Sequence, residues 1–311
     1  MGRSGLNKKA LLDRAGANGP VMILCATALM AFQDAMVKIM SADLPLWQLF
    51  LTRSMIALPA LLILSREKSS TVLRAALAPW ALLRSCLIVA MYVAFYAALP
   101  ILDLSIVAAC YYMGPIIIVL LSAIFLREPV RPGQIVAIGM AFCGVLIIVQ
   151  PTGEAFSAAA LIPLASALCY AIAAVVTRGY TSAAGPWALT VSVNIAFIVI
   201  GGTGIGVLKV FAPDPVYPFL MRIWVPLGNE TFASLAVLAA ISIGIHLALA
   251  RAYQAGPMTA VASLDYSYLL FAALWAFILF GTVPESMIVA GTGLITAAGM
   301  WITLGYRKRR G

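Results

Sequence analysis

The chain is a succession of long apolar runs, of which Ile116-Ile117-Ile118-Val119-Leu120-Leu121 is a sample. A helix needs about 20 apolar residues to cross the roughly 30 Å hydrocarbon core of a bilayer. Ten runs of that kind lie at about 20–40, 45–65, 79–99, 103–126, 131–150, 155–177, 185–211, 232–254, 258–280 and 286–306. Transmembrane strands alternate apolar and polar residues, and these runs do not. The expected class is therefore all-α, a polytopic membrane protein with ten transmembrane helices. Composition agrees, since 63% of the 311 residues are hydrophobic and 10% charged, against roughly 45–50% and about 25% in soluble domains. A water-soluble fold is excluded. The longest connection, 212–231, carries Pro213, Pro215, Pro218 and Pro226 and reads as an ordered or interfacial loop. The first run is too long for a removable leader and has no small-residue cleavage site, so a first transmembrane helix is expected.

A net charge of +9 raises the question of nucleic acid, and its distribution answers it. With the N-terminus in the cytoplasm, sixteen basic residues fall inside: Arg3, Lys8, Lys9, Arg14, Arg66, Lys68, Arg74, Arg84, Arg127, Arg131, Arg178, Arg251, Arg307, Lys308, Arg309 and Arg310. Only Lys209 and Arg222 fall outside, while Lys38 and Arg53 lie within membrane segments. Basic residues flanking helices stay cytoplasmic, so the excess orients the chain and implies no nucleic-acid partner. Both termini are expected in the cytoplasm, in a bacterial-type inner membrane. The five cysteines are odd in number, lie in apolar segments and show no C-x-x-C spacing, and there is one histidine. No metal or cofactor is expected.

The halves resemble each other. Tyr96-Ala97-Ala98-Leu99-Pro100 corresponds to Tyr253-Gln254-Ala255-Gly256-Pro257, and Pro45-Leu46-Trp47 to Pro186-Trp187. Gly139 with Gly144, and Gly293 with Gly299, mark the last helix of each half, where small residues let helix backbones approach. Five helices per half is an odd number, so the second half enters the membrane inverted, an architecture common among secondary transporters. The expected organisation is a cytoplasmic tail 1–19, repeats at 20–150 and 155–306, and a basic tail 307–311.

These landmarks resemble a known family. Pro100-Ile101-Leu102-Asp103, Gly114-Pro115, Leu126-Arg127-Glu128 and Gly133, then Gly256-Pro257, Ser263-Leu264-Asp265-Tyr266 and Phe280-Gly281-Thr282-Val283-Pro284, are similar in order to the EamA family of the drug/metabolite transporter superfamily. One departure is Thr282, where the family usually has an acid; Glu285 lies three residues on. The resemblance implies a carrier working by alternating access, with a cavity walled mainly by the third, fourth, eighth and ninth helices. It also implies the lipid bilayer and a small-molecule substrate as partners, with a coupling ion such as a proton and a homodimer left open.

Ionisable residues inside a bilayer are costly, so they usually face the bundle interior and are paired or functional. Asp34 and Arg53 lie within about 3 Å of the same depth at 1.5 Å per residue, with Gln33 and Lys38 close by. They read as a structural ion pair or as a substrate or proton site. Asp265 matches the family's Asp-Tyr pair and is the second acid expected to act. His246 reads as a proton relay or an interhelical hydrogen-bond partner. Aromatic residues crowd the expected cavity wall: Tyr92, Phe95, Tyr96, Tyr111 and Tyr112 in one half, Tyr253, Tyr266, Tyr268, Phe271 and Trp275 in the other. Tyr170 and Asn194 are weaker candidates. Tyrosines stack on flat ligands at low entropic cost, whereas those near helix ends also form ordinary interfacial belts.

The chain lacks a phosphate-binding Gly-x-x-x-x-Gly-Lys-Ser/Thr loop, so transport would draw on an ion gradient, exchange or the substrate's own gradient. The first substrate expectation is a planar vitamin such as riboflavin. The alternative within the family is an amino acid or its derivative, a nucleoside-containing cofactor or a drug. A membrane-embedded transferase would need clustered acids for a metal or a His–acid pair, and no such cluster is present in the sequence.

Overall fold

The computed structural model describes residues 3–65, 67–98, 102, 107, 110–149, 158–211, 214, 216–281 and 286–307. Among them there is no strand, and the α-helices are α1 (Arg3–Met40), α2 (Leu46–Leu64), α3 (Ser69–Ala76), α4 (Pro79–Ala98), α5 (Gly114–Phe125), α6 (Pro132–Val149), α7 (Leu161–Tyr180), α8 (Pro186–Phe211), α9 (Pro218–Met221), α10 (Asn229–Ala255), α11 (Met258–Asp265), α12 (Ser267–Phe280) and α13 (Ser286–Arg307). Among the described residues, seven spans are long and apolar enough to cross a membrane: Gly19–Met40, α2, α4, α7, α8, α10 and Met258–Phe280, the last joining α11 to α12. Gly114–Phe125, Pro132–Ile148 and Ser286–Ala298 are shorter apolar helices. Leu99, Pro100, Ile101 and Asp103, the connection Thr282–Glu285, and Lys308–Arg310 lie outside the described residues.

Proline sets many of the starts. Pro79, Pro132, Pro186 and Pro218 open α4, α6, α8 and α9, Pro115 is second in α5, and Pro45 and Pro257 cap α2 and α11. First-turn N–H groups have no intrahelical acceptor, so proline loses no hydrogen bond there. At the other end, α12 stops at Gly281, in left-handed backbone at φ 65°, a conformation that costs glycine nothing. Arg127 makes a similar turn after α5 at φ 53° without being glycine, a strain of about 1–2 kcal/mol.

Helix pairing crosses from one half of the chain to the other. The extensive contacts are α1 with α10, α4 with α7, α2 with α8, and α6 with α13, and α5 packs on α11. The α6–α13 crossing depends on two glycines: a Cβ on Gly144 would lie 2.7 Å from the Gly291 carbonyl oxygen, and one on Gly291 would lie 2.5 Å from that of Gly144. Gly139 and Gly293, grouped by sequence with such a crossing, have nothing within 4 Å of an added Cβ. Spacing along the sequence picked out the helices but not the face each glycine presents.

Arg84 is a second correction. Basic-residue counting assigns it to a cytoplasmic helix end, but it lies in the second turn of α4 and is 2% exposed. Its Nε donates to Thr177 Oγ1 at 2.8 Å and its Nη1 to the Leu189 carbonyl at 3.4 Å. α3 and α9 were not expected. α3 docks Val72 and Ala76 into a small core with α8, and α9 forms a short helical turn at Pro218–Met221. Trp47 Nε1 donates to the Leu220 carbonyl at 2.8 Å, while Gln48 donates through Nε2 to the Val225 carbonyl at 2.7 Å and accepts from its N–H at 2.8 Å.

Candidate functional site

A cavity of about 220 Å³ opens inside the bundle. α1 contributes Met30 and Asp34, four residues apart and so on one helix face. α4 contributes Met91, Tyr92, Phe95 and Tyr96; Tyr111 and Tyr112 come from the segment entering α5, and Tyr268, Leu269 and Ala272 from the first turns of α12. The wall is therefore aromatic with one carboxylate. Tyr92 and Tyr96 stack with ring centroids 6.1 Å apart, and Phe95 meets Tyr111 edge-on at 5.1 Å.

Asp34 is fixed by this wall. Its Oδ2 accepts from the Tyr268 hydroxyl at 2.7 Å and its Oδ1 from Tyr96 at 3.5 Å. The expected pair with Arg53 does not form, and the ion pair within 4 Å among the described residues is Arg178 with Glu128. Depth was matched but azimuth was not: neighbouring residues on a helix point about 100° apart, and Gln33, not Asp34, faces Arg53, whose Nη1 donates to Gln33 Oε1 at 3.4 Å. The Arg53 guanidinium covers the Phe197 ring at 4.6 Å. Lys38 is exposed and lies over Phe280 at 5.1 Å.

Asp265 ends α11, buried, with its carboxylate against the hydroxyls of Tyr170 and Tyr253, which bond to each other at 3.0 Å. The ninth apolar run was expected as one helix, but it breaks at Tyr266. Tyr266 donates to the Tyr112 carbonyl at 3.2 Å, tying the break to the turn at Tyr112 and Met113 that precedes α5. Two interrupted segments thus meet beside the cavity.

Of the candidates read from sequence, Asp34, Tyr92, Tyr96, Tyr111 and Tyr112 line the cavity, as do Phe95 and Tyr268. Gln33 and Arg53 sit behind it. Asp265, Tyr266, Tyr170 and Tyr253 form the next layer of the same tyrosine cluster. Trp275 lies elsewhere, donating to the Ala28 carbonyl at 3.3 Å and packing on Phe32. His246 is buried beside Phe197, at 6.1 Å between ring centroids, and Asn194 turns its amide back to the Thr190 carbonyl at 2.9 Å. Neither lines the cavity. Sequence reasoning passed over Met30 and Met91, although Met30 stands one turn before Asp34.

The tyrosine layer ends at a polar latch. Glu128 Oε1 accepts from Arg178 Nε at 2.8 Å and its Oε2 from the Met258 N–H at 3.3 Å. Arg178 Nη1 donates to the Gln254 carbonyl at 2.8 Å, and Gln254 Nε2 donates to the carbonyls of Thr181 and Ala184. The ends of α5, α7 and α10 and the start of α11 are thereby joined.

Residues 17–150 match the EamA-like transporter family. That segment, a little under half of the chain, is similar to the EamA family. Similar proteins span most of the chain. The pseudopaline exporter CntI of Pseudomonas aeruginosa is 26% identical over 286 residues, 90% of this chain and 94% of its own length. A riboflavin transporter of Rhizobium johnstonii is 28% identical over 235 residues, 74% of this chain and 72% of its own. A solved crystal structure superposes with a TM-score of 0.72 over 94% of this chain and 99% of its own, at 18% identity, and shares the fold. The chain is a multi-pass membrane protein, and the proteins it resembles in sequence are transporters.

Proposed function

We propose that this chain is an EamA-family secondary carrier that moves a small, ring-bearing organic metabolite through the tyrosine cavity by alternating access. The observation that carries the reading is a cavity inside the bundle whose wall is stacked tyrosine with Asp34 held at its surface. Aromatic walls with few fixed polar groups are how proteins bind flat organic ligands.

The helix pairing supports ten crossings in two inverted repeats, 20–150 and 155–306. Number the crossings one to ten, with α1, α2, α4, α5 and α6 as one to five and α7, α8, α10, α11–α12 and α13 as six to ten. Crossing one packs on eight, and three on six; adding five to each member, modulo ten, turns one pair into the other. Pairs two–seven, four–nine and five–ten map onto themselves. A two-fold axis relating the halves would produce this contact pattern. Interrupted helices at corresponding places in two repeats favour a binding site between them, and the breaks at Tyr112–Met113 and Tyr266 occupy crossings four and nine. The basic-residue count supports cytoplasmic termini in an inner membrane, which puts the Glu128–Arg178 latch at the cytoplasmic face and the cavity toward the outer one.

Riboflavin is the first ligand to test, on the strength of the tyrosine wall and the riboflavin transporter relative. Pseudopaline is the second, on the near full-length similarity to a pseudopaline exporter, and amino acids and their derivatives are the wider alternative. Purified protein is screened by thermal shift against vitamins, amino acids and nucleosides, and hits are measured in proteoliposomes. We expect saturable uptake of a hit, accelerated by unlabelled substrate preloaded on the opposite side. Asp34→Asn should lower that counterflow at least tenfold with near-normal folded yield. Uptake that neither saturates nor shows counterflow overturns the carrier reading.

A further inference from the structure

Arg53 is 2% exposed, and among the described residues no carboxylate lies within 4 Å of it. A charge withdrawn from water without an opposite partner is expensive, and inside a bilayer such residues mark functional sites. Phe197 and Phe50 lie under its guanidinium at 4.6 and 5.9 Å; their faces attract a cation but supply no counter-charge. Nη1 is engaged by Gln33, whereas Nε and Nη2 have no hydrogen-bond partner. Those two nitrogens form one edge of the planar guanidinium, and that edge grips a carboxylate through two parallel hydrogen bonds.

The neighbouring polar groups are also unpaired. Ser54 Oγ follows in α2, Asn194 Oδ1 stands one turn from Phe197 on α8, and Ser242 Oγ and His246 Nδ1 stand one turn apart on α10; none has a partner, and all four residues are buried. α2, α8 and α10 pack on one another, and the His246 ring lies 6.1 Å from the Phe197 ring that Arg53 covers. Buried polar atoms are normally satisfied, so unpaired groups on the three mutually packed helices that carry Arg53, Phe197 and His246, with no carboxylate within 4 Å of the guanidinium, indicate a place for something polar. The tyrosine cavity is one side chain away: Tyr92, which lines it, packs on Phe197 at 5.7 Å.

We propose that Arg53 anchors an anion subsite behind the tyrosine cavity, one that takes the carboxylate of an organic anion. The inference rests on the carrier reading and, in place of riboflavin, which has no carboxylate, names another substrate class: a ring against the tyrosines and a carboxylate on the free guanidinium edge. The hydroxyls of Ser54 and Ser242 are further donors, Asn194 Oδ1 accepts from a donor group next to the carboxylate, and Tyr92 is the partition that turns aside.

The test uses the full chain in detergent and pairs of a carboxylate with its neutral amide: acetate with acetamide, benzoate with benzamide, and indole-3-acetate with indole-3-acetamide, at ionic strength held constant with chloride. Thermal shift should show stabilisation by the aromatic carboxylates, with half-saturation at least tenfold lower than for their amides. Arg53→Lys, which keeps the charge and removes the fork, should raise half-saturation at least tenfold, and Arg53→Gln should abolish the difference between acid and amide. Arg53→Lys alone decides the matter if Arg53→Gln fails to fold. Equal response to acid and amide, no response to any acid, an unchanged response in Arg53→Lys, or stronger stabilisation by inorganic phosphate than by every carboxylate overturns the subsite. Counterflow separates the two readings: a neutral substrate carried equally well by Arg53→Lys sinks the subsite and keeps the carrier, while Arg53-dependent carboxylate binding without counterflow does the reverse.

Discussion

Asp34 is held by two tyrosine hydroxyls of unequal strength. The bond from Tyr268 is 2.7 Å long and that from Tyr96 is 3.5 Å, and hydrogen bonds to an ionised group are worth about 1.5–3 kcal/mol when short and aligned. Tyr268→Phe should therefore weaken substrate half-saturation in proteoliposomes by roughly ten- to a hundredfold, whereas Tyr96→Phe should cost less than about threefold through this bond. Equal losses would mean that Asp34 is positioned by the wall as a whole and not by Tyr268. The identity of these residues was legible in the sequence, because a carboxylate in an apolar run stands out by cost alone. Their partners were not. Depth along a helix follows from counting residues, but azimuth between two helices depends on their rotation, and the pairing of Asp34 with Arg53 was lost on that coordinate. Arg84 was misread for a related reason: a basic residue one turn inside a helix start counts as a flank in sequence, and only packing against Thr177 and Leu189 shows it to be interior.

At the scale of elements, apolar length and proline placement made the helices legible, and the breaks inside them were not. The interruption at Tyr266 occurs with neither glycine nor proline, and depends on a hydroxyl reaching the Tyr112 carbonyl across the bundle. Small-residue contacts were half legible. The α6–α13 crossing makes this a measurable distinction: Gly144→Val and Gly291→Val each place side-chain atoms where a backbone oxygen stands, and overpacking of that kind costs about 1–3 kcal/mol or more. Both should lower the melting temperature in detergent and the folded yield. Gly139→Ala and Gly293→Ala, with open space around the added methyl, should leave both unchanged or slightly raise them, since alanine also favours helix. A crossing indifferent to all four changes would not be built on Gly144 and Gly291.

For the whole molecule, if the proposed carrier works by alternating access, the latch around Glu128 is the point where that cycle can be arrested. Arg178 and Glu128 are 30% and 22% exposed, so their pair contributes about 1 kcal/mol or less to stability, and its removal should barely change melting. Holding it closed is a different matter. With cysteines at both positions, joined by a short, reducible bis-methanethiosulfonate reagent, counterflow should fall at least tenfold and return on reduction. Full crosslinking with undiminished counterflow would take this contact out of the transport cycle.

The cross-half pairing bears on how the protein is made. α1, α2, α4 and α6 each find their main partner beyond residue 158, so when the first half has entered the bilayer its contact faces still touch lipid. Synthesis of the second half supplies every one of those partners, and α13, which follows the others in the chain, closes on α6. Until then the inserted chain is a set of helices waiting in the membrane, exposed to insertases, chaperones and proteases. A truncated product lacking the final helix would leave Gly144 facing acyl chains, a recognisable mark for quality control.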